Sequence, residues 1–86
     1  MRNYKQVIEE ARKIYARIAP KIAQLGIKWD KRIHNKISVE LYESIIIFSR
    51  FKLELKQLNP PKNEMELFDL WFSNIQNAYQ RIQRMT

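Results

Sequence analysis

The side chains of this chain that could do acid–base or nucleophilic chemistry are few and scattered. His34 is the only histidine and there is no cysteine, which excludes a thiolate nucleophile, a disulfide and a thiolate metal site. A serine nucleophile would have to pair His34 with Ser38, Ser44, Ser49 or Ser73, and none of these sits in the glycine-flanked turn that exposes such a group. Lys31, Arg32 and Lys36 surround His34 in sequence, and no triad pattern accompanies it. His34 therefore reads as a plain surface or interface residue. Zinc usually takes three or four Cys, His or carboxylate ligands. Glu40 and Glu43 are one turn apart, but no Glu-x-x-His pair accompanies them, so they read as the solvated start of a helix. A single glycine, Gly26, leaves no phosphate-cradling loop. The expectation is a binding protein and not an enzyme, with no cofactor and no metal.

Charge is the stronger signal. The chain carries a net +7, and the excess is lopsided. Residues 1–36 hold ten Lys or Arg against Glu9, Glu10 and Asp30, whereas residues 37–86 hold six of each sign. Such asymmetry favours an anionic partner: nucleic acid, an anionic membrane surface or an acidic protein patch. Lys13, Arg17 and Lys21 step by four and share one helix face opposite the apolar stripe. Lys28, Lys31, Arg32 and Lys36 follow, with Trp29 among them. Lysine and arginine are the natural donors to phosphate, and each phosphate they neutralise releases counterions. Trp29 is able to stack on an unpaired base, worth ~1–3 kcal/mol, although its spacing with Ile33 and Ile37 suits a core position equally. Lys21 to Ile37 also offers a helix, a turn at Gly26 and a basic helix, the outline of a helix-turn-helix. The seven cations Lys13, Arg17, Lys21, Lys28, Lys31, Arg32 and Lys36 are thus the candidate nucleic-acid contacts.

These residues must be placed by helices. Eighty-six residues suit one domain, and so few glycines and prolines argue against a hairpin-rich sheet protein. The pattern predicts an all-α bundle of three long helices and one short one. Tyr4, Val7, Ile8, Ala11, Ile14, Tyr15, Ile18, Ile22 and Leu25 recur at steps of three and four, giving a helix over about residues 4–25. Asn3 and Gln6 have capping-box spacing, Pro20 is expected to kink the helix, and Gly26 to end it in a left-handed conformation with Ile27 against Ile22. A short helix at about 30–36 follows, capped by Asp30. Ser38 then caps a helix over 39–58, with Ile37 and Tyr42 as its hydrophobic staple. The alternative is one helix from Lys31 to Leu58, because no breaker separates the two. Asn59-Pro60-Pro61 ends this element, and Asn63 with Glu66 starts a last helix over about 64–84.

The most direct functional expectation is a small basic nucleic-acid-binding accessory protein of the kind carried by phages, plasmids or viruses. A second is a protein-binding inhibitor acting through the last helix and the Pro60-Pro61 loop. At the level of architecture alone, a short basic helical bundle looks like the immunity proteins that protect producers of pediocin-like bacteriocins. No shared motif carries that likeness. A third is peripheral membrane binding through the basic first helix. The apolar run Ile45-Ile46-Ile47-Phe48, with Phe51, suggests a homodimer if the other helices leave it uncovered. Without cysteine, a signal-peptide apolar region or a run long enough to span a bilayer, the chain is expected in the cytoplasm.

Overall fold

The three apolar stripes fold as three helices. A computed structural model describes residues 2–26 and 30–85, with α1 spanning Tyr4–Gln24, α2 spanning Lys31–Leu58 and α3 spanning Lys62–Met85. The capping box at the start of α1 is complete. The Asn3 side chain accepts from the Gln6 N–H and the Gln6 side chain from the Asn3 N–H, each at 3.0 Å. α1 continues through Pro20 to Gln24 as one helix. The proline does not break it, and the expected kink is not confirmed. The ending differs from expectation. No glycine has a positive φ, and the cap is Leu25 in the right-handed region (φ −63°, ψ −23°), whose N–H donates to the Ile22 carbonyl at 3.1 Å. The last turn therefore tightens to an i→i−3 bond and needs no left-handed residue. The expected Ile27–Ile22 contact lies outside the described residues.

The short helix at 30–36 is not a separate element, and Ser38 is not a cap. Both lie at the front of the single helix α2, as the alternative reading allowed. Asp30 caps it, accepting from the N–H groups of Arg32 at 2.9 Å and Ile33 at 3.4 Å. Nothing interrupts the helix because the inward stripe of His34, Ile37, Leu41, Ser44, Phe48, Phe51 and Leu55 keeps phase from end to end. The Ile37–Tyr42 staple is lost with the cap: Ile37 is in the core and Tyr42 is exposed, its ring 6.0 Å from that of Tyr79. His34 shares the inward stripe and is only 1% exposed, which corrects its assignment to the surface. Its Nδ1 lies 2.8 Å from the Asp30 carbonyl oxygen.

α2 ends at Asn59 in the left-handed region (φ 57°, ψ 58°), with its N–H donating to the Leu55 carbonyl at 3.0 Å. Asparagine tolerates this conformation better than most side chains. α3 starts earlier than expected. The Pro61 carbonyl accepts from Glu64 and Met65 N–H groups, each at 3.1 Å, so Asn63 sits inside the first turn and is not the cap.

Four contacts fix the directions. Lys21 pairs with Glu40, and Arg2 with Glu54 at 2.9 Å, so α1 and α2 run antiparallel. Lys52 pairs with Asp69 at 3.3 Å, and Tyr42 meets Tyr79, so α2 and α3 run antiparallel as well. α1 and α3 are therefore parallel neighbours in an up-down-up bundle about 41 Å long and 19 × 18 Å across. Phe48 is the centre of the core, with the Phe68 ring stacked at 5.2 Å and the Phe72 and Phe51 rings at 5.8 and 6.0 Å. Tyr15 joins α1 to α3 by stacking on Trp71 at 5.8 Å and accepting from Asn74 Nδ2 at 3.0 Å. No helix among the described residues is long and apolar enough to cross a membrane.

Candidate nucleic-acid interface

The antiparallel topology sorts the charges by end. At one end the last turns of α1 and α3 meet the first turns of α2. Lys21 comes from α1, Lys31, Arg32 and Lys36 from α2, and Arg81 and Arg84 from α3. Arg17 stands one turn behind Lys21. The carboxylates at this end and its shoulder are Asp30, Glu40 and Glu43, and Asp30 is engaged as the cap of α2. Most of the acids (Glu9, Glu10, Glu54, Glu64, Glu66 and Asp69) belong to the opposite half of the bundle.

Ion pairing adds to the contrast in part, since Lys5, Lys13, Arg50 and Lys56 elsewhere on the bundle are also exposed and pair with no described residue. At the far end, Arg2 bonds Glu10 at 2.5 Å and Glu54 at 2.9 Å, with its guanidinium 5.5 Å from the Phe51 ring centre. Arg12 bonds Glu9 at 2.5 Å, Lys52 reaches Asp69, and Lys62 lies 3.9 Å from Glu66. The Arg12 contact holds the Glu9 carboxyl below the usual range, and Glu9 raises the Arg12 guanidinium in turn. Among the described cations of the basic end only Lys21 is paired, with Glu40. Arg17, Lys31, Arg32, Lys36, Arg81 and Arg84 are exposed and make no ion pair with any described residue. The basic ends of α1 and α3 are also helix C-termini, where the backbone dipole favours cations.

The sequence-predicted contacts are thus partly gathered and partly separated. Arg17, Lys21 and Lys36 line two adjoining grooves between α1 and α2, of about 180 and 220 Å³, which share Lys21 and Glu40. Lys31 and Arg32 stand at the tip of α2. Lys13 is exposed but lies eight residues behind Lys21, roughly 12 Å along the helix, and lines a different depression with Arg2, Lys5 and Glu9. Lys28 and Trp29 lie outside the described residues. Arg81 and Arg84 were not among the seven candidates. They sit far from the others in sequence, and only the parallel placement of α1 and α3 brings them in. Their position near the end of a helix, with Arg84 in its last turn, was the available signal.

A helix-turn-helix is not what this end contains. Such a motif crosses its helices at roughly 90–120°, whereas α1 and α2 lie antiparallel along their length. The arrangement is a blunt, multivalent cationic tip, suited to several phosphates at once and lacking a single projecting reading helix. No family model, curated protein or solved structure matches this chain.

Proposed function

We propose that the protein is a non-enzymatic nucleic-acid-binding protein that grips the phosphate backbone with its basic end, as a small accessory protein of a phage, plasmid or virus would. The observation that carries this reading is the gathering of Arg17, Lys31, Arg32, Lys36, Arg81 and Arg84 at one end and shoulder without ionic partners among the described residues, while most of the acids collect at the other. Cations held apart from acids keep their full attraction for phosphate, and binding would be driven mainly by counterion release. Six such contacts give a log–log salt slope on duplex DNA of at most about −5. Titration of labelled duplex, single-stranded DNA and RNA between roughly 50 and 300 mM salt tests it. Affinity that is absent at low salt, or that stays flat across this range, refutes it.

One feature favours a second reading, a protein target for an inhibitor or immunity-like bundle. Leu67 and Leu70 are 43% and 56% exposed on α3, on the turns after the Pro60-Pro61 loop. One stoichiometric protein recovered from the native host after nuclease treatment would favour it over the first. The membrane reading gains no such support, because the apolar face of α1 puts Val7, Ala11 and Ile18 in the core.

A further inference from the structure

α2 has a second apolar row that its neighbours leave largely open, with Tyr42 at its edge against Tyr79 of α3. Phe48 and Phe51 are buried by α1 and α3, yet Val39, Tyr42, Ile46 and Leu53 are 58%, 53%, 39% and 65% exposed. Their steps of three, four and seven residues put them on one strip of the helix, opposite Leu41, Phe48 and Leu55. An exposed apolar strip of this kind, interrupted only by the turn of Ser49 and Arg50, suits an interaction surface on a small protein. What could cover it is indicated by two charges on its edge. Glu43 and Arg50 are exposed, lie seven residues apart on the same flank, and pair with no described residue.

We propose that this face of α2 pairs with the same face of a second copy, antiparallel, about a two-fold axis close to Ile46–Ile47. In that register Leu53 of each chain meets Val39 of the other, and the two Ile46 side chains sit beside the axis. Glu43 of each chain then faces Arg50 of the other, twice by symmetry. A parallel pair would set this flank against the other edge of the strip, where Ser38, Ile45 and Lys52 lie, and Glu43 would lose Arg50 as its partner. The complementarity therefore selects both the occupant and its direction. The strip is short, so the dimer is a weak one, in the micromolar range.

The dimer has a geometric consequence that, unlike the dimer itself, rests on the proposed function. At 1.5 Å per residue, Lys36 and Arg32 lie roughly 16 and 22 Å from the axis, so the two basic ends are roughly 32–44 Å apart along the helix direction. One turn of duplex DNA is about 34–36 Å. Such a dimer could place both tips on successive turns of one face of a duplex.

Sedimentation equilibrium without nucleic acid tests the pairing independently of that function. The wild type should show a reversible monomer–dimer equilibrium, and Ile46→Glu should weaken it at least tenfold while leaving the helical circular dichroism unchanged. Glu43→Arg alone places four like charges across the axis, as does Arg50→Glu alone, and each should remain monomeric where the wild type dimerises. An equal mixture of these two variants restores both opposite-charge pairs, and heterodimer should reappear. A wild type that stays monomeric to roughly 0.5 mM, or single variants that dimerise as well as the wild type, overturns the proposal. A wild-type dimer whose variant mixture stays monomeric overturns the antiparallel register.

Discussion

The contribution of α3 to the basic end can be separated from that of bulk charge. Replacing Arg81 and Arg84 with Gln lowers the net charge from +7 by two. Replacing Lys5 and Lys56 with Gln lowers it equally, but at the opposite end, where α1 begins and α2 finishes. All four side chains are exposed and make no ion pair with a described residue. Either double substitution should therefore leave stability within about 1 kcal/mol. If Arg81 and Arg84 each neutralise one phosphate, their loss makes the log–log salt slope shallower by about 1.8, from ~0.9 per contact on duplex DNA. Over a fourfold rise in salt, from roughly 50 to 200 mM, the wild type should then lose roughly tenfold more affinity than the arginine variant. Fluorescence anisotropy with a labelled duplex of ~20 base pairs, repeated at four or five salt concentrations, measures both slopes. The lysine variant should keep the wild-type slope. Equal slopes for the two variants would mean that the whole surface, and not this end, binds; an unchanged slope in the arginine variant would remove α3 from the interface.

Glu40→Gln frees Lys21 from its carboxylate partner and should raise affinity for the same duplex and steepen the slope by about 0.9, with a stability change below about 1 kcal/mol because the pair is partly exposed; a weakened complex would contradict the geometry. Phe48→Ala empties the centre of the aromatic cluster, where Phe48 is 0% exposed, and should cost about 3–5 kcal/mol in urea unfolding. Pro20→Ala restores a donor inside α1 and should stabilise the fold by up to about 3 kcal/mol, read as a higher unfolding midpoint. The Glu9 carboxyl is held low mainly by its bond from Arg12. Its contribution is therefore present above the ordinary carboxylate range and fades as pH falls through its lowered value. Acid titration of Glu9→Gln against wild type should show this difference shrinking towards low pH.

Element type was legible because periodicity reports it directly. Tyr4 to Leu25 and Phe68 to Ile82 keep one stripe each, and both are helices. Boundaries were less legible because several residues offered caps and only tertiary packing chose among them. Ser38 has the side chain of a cap, but the stripe from His34 to Leu55 is buried on both sides of it, so ending the helix there would sacrifice core contacts for one hydrogen bond. Asn63 lost its role for the opposite reason. The Pro61 carbonyl was already available to the first amides of α3, and the helix began where backbone geometry first allowed. His34 shows the weight of phase over residue type: a polar ring in step with Leu41 and Phe48 goes inside, beside the Asp30 carbonyl.

The candidate site was legible only where it is local. Arg17, Lys21, Lys31, Arg32 and Lys36 fall within one stretch of chain, and a hairpin of two antiparallel helices necessarily brings the end of one to the start of the next. Arg81 and Arg84 belong to a segment whose charge is balanced overall, so composition concealed them. Their acids, Glu64, Glu66 and Asp69, precede them by several turns, and a helix converts that separation in sequence into separation in space. Acids at the start of α3 and arginines at its end satisfy the helix dipole, but the same order sends the acids to one end of the bundle and the arginines to the other. Local helix electrostatics in α3 thereby adds to a charge gradient along the whole molecule. In that view the basic end is a property of topology: an α3 running in the opposite direction would set Glu64, Glu66 and Asp69 among the cations and cancel the field that a polyanion needs.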